Sequence, residues 1–361
     1  MADAHSFAIA VIAGDGIGPE VMAPCLDILE MATRRIGGFS LDLQHLPAGA
    51  GAYVETGTAL PEETMTRARA ADAILLGAMG LPDIRYEDGT EITPQLDLRF
   101  ELGLYAGVRP IRAIPGLRPV LADPRGRKID LVILRESTEG LFASHGKGVV
   151  TDTEACETLV ITRGVSERLF RFAFELARSR KAEGAPGRVT CVDKANIFKA
   201  YAFFRKVFDE VAGGYPDIAT AHRYVDAAAL DLVHRPWELD VLVMENMFGD
   251  ILSDLGAGLI GGMGFAPSAD IGESDAVFQP SHGSAPDIAG TRKANPTAMV
   301  LSGAMMLEWL GSRHAIAAAT DAGRRVRAAV DEAFADGRLV PFELGGTAGT
   351  QAIAEAVLKA L

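Results

Sequence analysis

Short apolar runs alternate along this chain with longer helix-like ones, and that alternation restricts the fold more than any other feature. Phe7 to Ala13 precedes Glu20 to Arg35, Leu41 to Leu46 precedes Pro61 to Ala71, and Ala73 to Leu76 and Leu131 to Leu134 are further strand-like runs. Arg188 to Val192 then precedes Phe198 to Val211, and Val241 to Met244 closes the series. Strands that alternate with helices predict an α/β architecture built on a largely parallel sheet, and 361 residues accommodate two domains. The segment Leu141 to Arg163 breaks the rhythm. Its two β-rich stretches, Val149-Val150-Thr151 and Thr158 to Thr162, read as a hairpin projecting from the body, and a hairpin that leaves its own domain needs a partner. The alanine-rich stretch Ala315 to Ala319 reads as helical.

A formal net charge of −13, with no basic stripe, argues against a nucleic-acid or anionic-membrane surface. An anionic ligand therefore needs a local cluster of arginines. No stretch reaches the roughly 18 continuous apolar residues of a membrane span, and the N-terminal apolar run, lacking a basic flank and leading into glycines, reads as a strand and not as a signal peptide. Cys25, Cys156 and Cys191 form no C-x-x-C pair and fit reduced thiols in the cytoplasm.

Three carboxylates stand out. Asp250 and Asp254 fall one turn apart if Asn246 onward is helical, and Asp226 precedes the neighbouring strand-like run. Like charges at that spacing repel unless a cation lies between them, and with the lysines and arginines expected elsewhere, Mg²⁺ or Mn²⁺ suits the gap. Arg99, Arg109 and Arg135 supply guanidinium groups that, if they converge, hold a substrate with two carboxyl groups. Lys194 ends a strand, where α/β proteins gather site residues, and reads equally well as a base or as a loop lysine. Gly14-Asp15-Gly16-Ile17-Gly18 follows the first strand but is one residue short of the Rossmann spacing, so it does not predict a phosphate-gripping turn. It leaves room for a flat ring close to backbone. The loop from Pro280 to Gly290, with His282, Gly283, Ser284, Ala285, Asp287 and Ile288, followed by Asn295, forms a cradle suited to adenosine, with Asp287 accepting from ribose hydroxyls.

Taken together, Gly14 to Glu20, the three arginines, Asp193 to Asn196, Asn246 to Asp254 and His282 to Gly290 resemble the 3-isopropylmalate and isocitrate dehydrogenases, the metal-dependent β-decarboxylating dehydrogenases. The resemblance is greatest toward the isopropylmalate and tartrate (D-malate) branch. It implies a two-domain, non-Rossmann fold, with a cofactor domain from 1–104 and 261–361, a substrate, metal and dimerisation domain from 105–260, and the site between them. It further implies NAD, chosen over NADP by Asp287, and a divalent ion held by Asp250 and Asp254 of one subunit and Asp226 of the other. Lys194 of the neighbouring subunit is the implied base, helped by Asp226, with Arg99, Arg109 and Arg135 on the β-carboxylate of a small dicarboxylate. The implied assembly is a homodimer or a dimer of dimers with shared active sites. Three positions depart from the family pattern: Phe142 stands where a tyrosine is usual, Gln279 replaces a glutamate, and Gln95 replaces an apolar wall of the isopropyl pocket. The reading is NAD-dependent oxidative decarboxylation of a 3-substituted malate. Its alternatives are a D-malate or tartrate-type dehydrogenase and a catalytically attenuated regulatory subunit.

Overall fold

The computed structural model describes residues 5–361, so the first four residues of the expected first domain lie outside it. In chain order the elements are β1 (His5–Gly14), α1 (Gly18–Ile36), β2 (Phe39–His45), α2 (Ala50–Thr56), α3 (Glu62–Ala70), β3 (Ala73–Ala78), α4 (Pro94–Glu101), β4 (Ala106–Arg112) and β5 (Asp130–Glu136). There follow β6 (Val149–Val150), β7 (Ala155–Cys156), α5 (Arg163–Ala182), β8 (Arg188–Asp193), α6 (Lys199–Ala212), β9 (Ala219–Tyr224), α7 (Val225–His234), β10 (Val241–Met244) and α8 (Asn246–Leu259). The chain closes with β11 (Pro267–Ile271), β12 (Ala276–Pro280), α9 (Thr297–Arg313), α10 (Ala317–Phe334) and α11 (Thr350–Ala360).

Ten strands form one sheet in the order β2-β1-β3-β12-β11-β4-β5-β10-β8-β9. Both flanks are parallel, as the alternating pattern predicts, while β12-β11, β11-β4 and β4-β5 run antiparallel through the centre. Strands β3 and β10 are buried along their whole length, which is why they read as unbroken apolar runs. Helix α1 buries one face, with Pro19 in its first turn, Arg34 and Arg35 in its last, and Gly37 ending it at φ 73°. Helices α5 and α6 lock together through Phe170 against Phe204 and Phe208, and through Phe174 against Phe208.

Two local expectations are corrected. Val149 and Val150 pair with Cys156 and Ala155, not with Thr158 to Thr162. The Thr151 hydroxyl accepts from the backbone of Thr153 and Glu154 and tightens the turn, so the return arm begins earlier. Val160 instead bridges to Gly140, and Thr162 caps α5. Ala315 to Ala319 is not one helical stretch, because Ala315 takes φ 55° at the break between α9 and α10. That corner closes tightly: a Cβ at Gly311 would meet Thr320 Oγ1 at 2.3 Å. Among the described residues no helix is long and apolar enough to cross a membrane, and the three cysteines are free thiols.

Candidate active site

A cleft with about 680 Å³ of empty space opens where the antiparallel centre of the sheet meets α4 and α8. Arg99 and Gln95 reach it from the same face of α4, four residues apart, Arg109 from β4, and Arg135 from β5. Asp250 and Asp254 enter from one face of α8, whose first turn is capped by the Glu245 carboxylate accepting from the Met247 N–H. Gln279, His282 and Gly283 close the far wall. The three arginines do converge, and all three are buried.

Each guanidinium is fixed from behind. Arg99 reaches Asp270 Oδ2 at 3.2 Å and Arg109 reaches Asp270 Oδ1 at 3.1 Å, while Arg109 also donates to the Ala269 carbonyl at 3.0 Å. Burial alone would raise the Asp270 carboxyl, but Arg109, Arg99 and Arg135 outweigh it and hold the group well below the usual carboxylate range. Arg135 donates Nε–H to Asn246 Oδ1 at 2.8 Å, pairs with Asp250, and lies 5.0 Å over the Phe142 ring. Burial, and then the neighbouring Arg99, lower its pKa to about 10.

The expectation that no cation of the chain approaches the α8 carboxylates is therefore wrong, because Arg135 of the adjacent strand sits on Asp250. Parallel pairing of β10 with β5 puts α8 directly over Arg135, a proximity that helical spacing cannot reveal. Asp254 makes no such pair. Desolvation in the cleft and then the charge of Asp250 raise its pKa, so the two carboxylates still offer an under-neutralised oxygen donor set suited to a hard divalent ion. Asp226 is not beside them. Within one chain it pairs with Lys194 at 3.0 Å, which holds its carboxyl below the usual range, and neither residue lines the cleft. Among the described residues no group of three metal-ligating side chains is assembled.

Three buried polar atoms at the cleft lack a hydrogen-bond partner: Gln95 Oε1, Arg99 Nε and His282 Nε2. Burial lowers the pKa of His282, whose Nδ1 meets the Gly283 carbonyl at 2.9 Å. Two donors or acceptors of this kind and an unpaired amide oxygen fit a polar ligand that completes the site. The loop from His282 to Ile288 lies against the first glycine-rich turn. The Ile17 N–H donates to the Ser284 carbonyl at 2.8 Å, and a Cβ on Gly16 would meet that oxygen at 2.0 Å. The glycine thus serves close backbone packing of turn on loop. Asp287 is exposed, Ala285 takes φ 37°, and Gly283 and Ile288 belong to the same loop. Asn295 is occupied elsewhere: its amide donates to Glu343 at 2.5 Å and its oxygen accepts from Thr297. Those bonds brace the loop.

Sequence reasoning missed Asp270 and Asp15. A carboxylate within the buried strand Ala269-Asp270-Ile271 was the available signal, since such a charge requires partners. Asp15 accepts from the N–H groups of Ala50, Gly51 and Gly80, each at 2.8 Å, and pins three loops at the rim.

Comparison with known proteins adds to this geometry. The family model described as isocitrate/isopropylmalate dehydrogenase matches residues 8–357. The chain is 42% identical over 355 residues to the 3-isopropylmalate/3-methylmalate dehydrogenase of Methanocaldococcus jannaschii, covering 97% of this chain and 98% of that protein. It is likewise 42% identical, over 354 residues, to the 3-isopropylmalate dehydrogenase of Archaeoglobus fulgidus, with 98% and 99% covered. Among solved structures, isocitrate dehydrogenase from Methylococcus capsulatus superposes with a TM-score of 0.85 at 39% identity, covering 98% of this chain and 99% of that one. The apo β-decarboxylating dehydrogenase of Thermococcus kodakarensis gives a TM-score of 0.80 at 37% identity, with 98% and 96% covered.

Proposed function

The chain belongs to the isocitrate/isopropylmalate dehydrogenase family, and on that premise we propose that it oxidises and decarboxylates a 3-substituted malate with NAD and Mg²⁺ or Mn²⁺. It is an oxidoreductase acting on a hydroxyacid. One observation carries the finer reading: three buried arginines and two α8 carboxylates face one cleft in which three buried polar atoms lack partners. Arg99, Arg109 and Arg135 hold the β-carboxylate, Asp250 and Asp254 would hold the metal, and the His282–Ile288 loop, with Asp287 outermost, would take the adenosine end of NAD. When bound, the metal supplies Lewis acidity and the nicotinamide accepts hydride.

Lys194 and Asp226 already form an ion pair within one chain, and a second copy has to bring them to the cleft. Leu230 at 62% exposure on α7, Ile251 at 61% on α8 and Val150 at 79% on the hairpin leave apolar faces that support a homodimer or dimer of dimers with shared sites. The domains we propose are 1–104 with 261–361, and 105–260. Strands β2, β1, β3, β12 and β11 fall in the first and β4, β5, β10, β8 and β9 in the second, so the cleft at β11 and β4 lies along their boundary. Three free thiols suit a cytoplasmic setting.

Gln95 supports a second reading of the substituent. Its unpaired, buried Oε1 favours a C3 group that donates a hydrogen bond, as in tartrate, or a small substituent with an ordered water, as in D-malate, over isopropyl. The test is NADH formation with Mn²⁺ across 3-isopropylmalate, 3-methylmalate, D-malate and tartrate. A best substrate with a C3 hydroxyl assigns the wall to Gln95. Preference for isopropyl shows that Gln95 points away from the substituent, and turnover of none favours the attenuated regulatory subunit.

A further inference from the structure

The two arginines that clamp the carboxylate are held by a group outside the cofactor and metal machinery. Asp270 sits on β11, where Gly107 on the neighbouring β4 leaves room for it: a Cβ there would come within 3.1 Å of Asp270 Oδ1. Asp270 Oδ1 accepts from Arg109, and Oδ2 accepts both from Arg99 and from the Gln279 amide, the latter at 2.8 Å. Gln279 reaches it diagonally across the β11–β12 pair, in which Ser268 faces Gln279 and Asp270 faces Val277. A glutamate at this position, the residue usual in the pattern this chain resembles, would put two carboxylates at hydrogen-bond distance, where both cannot ionise.

We propose that Asp270 is the positioning residue of the arginine clamp, and that Gln279 is its obligate neutral partner. The one negative charge that this wall can carry stands at 270, where it aims Arg99 and Arg109 into the cleft, and the amide at 279 follows from that placement. Arg99 keeps Nε unpaired and Arg109 has used its second terminal nitrogen on backbone carbonyls, so neither guanidinium has a second charged anchor. The charged and titratable groups facing the pair are Arg99 from α4, Arg109 from β4, Arg135 from β5, Asp250 and Asp254 from α8, and His282 from the loop after β12. This inference rests on reading the cleft as a dicarboxylate site.

Two variants and their combination test it, with malonate as a dicarboxylate probe in Mg²⁺ buffer and thermal stabilisation as the readout of binding. Asp270→Asn removes the charge and turns one of the two acceptor oxygens into a donor, and malonate should then bind at least about tenfold more weakly even though the cleft has lost a negative charge. Binding that is unchanged or tighter shows that Asp270 only neutralises charge and overturns the proposal. Gln279→Glu should bring a new ionisation into the pH profile of malonate binding and of kcat/KM. While protonated, the introduced carboxyl still donates to Asp270, so function holds at acid pH and falls as pH rises and the shared proton is lost. The double variant Asp270→Asn/Gln279→Glu restores a single charge to the wall, and that ionisation should vanish with binding recovered to within about tenfold of wild type. A Gln279→Glu profile that matches wild type overturns the proposal even if Asp270→Asn fails to fold. If wild type oxidises no substituted malate while malonate binding follows this order, the proposed activity fails and the clamp stands.

Discussion

Phe142 occupies the position at which the resemblance leads one to expect a proton-donating tyrosine, and the structure gives its ring another task. The Arg135 guanidinium lies 5.0 Å over the ring, while its nitrogens bond Asn246 and Asp250. A cation over an aromatic face gains about 0.5–2 kcal/mol depending on desolvation, and Arg135 is only 5% exposed. Phe142→Ala should therefore let Arg135 swing and raise the KM for the preferred malate about 2- to 30-fold. Phe142→Tyr keeps the platform, so KM should stay within about twofold. If a missing acid limits turnover, that same variant raises kcat, since a positioned acid contributes about 10² to 10⁴ in rate. Steady-state kinetics on both variants, with CO₂ and NADH quantified in parallel, separate the two roles. An unchanged KM in Phe142→Ala refutes the platform. No gain in kcat for Phe142→Tyr, with CO₂ and NADH equal in wild type, refutes the missing acid and sends the search to another donor such as His145.

Excess EDTA should abolish activity, and Asp250→Asn should weaken Mn²⁺ binding in titration calorimetry; full turnover in EDTA would remove the metal from the reading. NAD should exceed NADP in kcat/KM by more than about a hundredfold, because a carboxylate at 287 against a 2′-phosphate costs a few kcal/mol, and comparable values would mean that Asp287 does not face the ribose. Mixed dimers of Lys194→Ala and Asp250→Ala chains should regain activity that neither homodimer has, since one of the two sites then receives all its groups. Sedimentation showing a fully active monomer contradicts the shared site.

The flanking strands β1, β2, β3, β8 and β10 and the helices α1, α3 and α6 were legible because each buries a periodic or continuous apolar face, whereas β9, exposed along nearly its whole length, and α5 were not read. In the antiparallel centre only β5 was, as the run Leu131 to Leu134. Strand β4 carries Arg109, Pro110 and Arg112, and β11 carries Ser268 and Asp270, so neither shows an apolar strand pattern; the charges of Arg109 and Asp270 become tolerable once they pair across β4 and β11, and that of Arg112 once it meets Asp331 of α10. Helix α9 was missed for the opposite reason, being buried on most of its faces and hence without amphipathic periodicity. In the site, the arginines and the α8 carboxylates could be picked out as residue types at suggestive spacings. What joins them, Arg135 to Asp250 and Asp270 to Arg99 and Arg109, spans more than 100 residues of chain each time and depends on strand order.

That strand order also explains how a chain with a formal charge of −13 can build an anion site. Arg99, Arg109 and Arg135 face Asp250, Asp254 and Asp270, so the guanidinium and carboxylate charges of the cleft cancel in number. Burying three unmatched arginines together would be prohibitive, and the matching acids make the cluster compatible with folding. A neutral cleft, however, has little long-range attraction for a dicarboxylate. A divalent ion at Asp250 and Asp254 would add the two positive charges that a malate's two carboxylates require, so metal and substrate should each strengthen the other's binding by linkage. EDTA would then lower dicarboxylate affinity itself and not turnover alone, with the arginines supplying orientation and the metal supplying the charge.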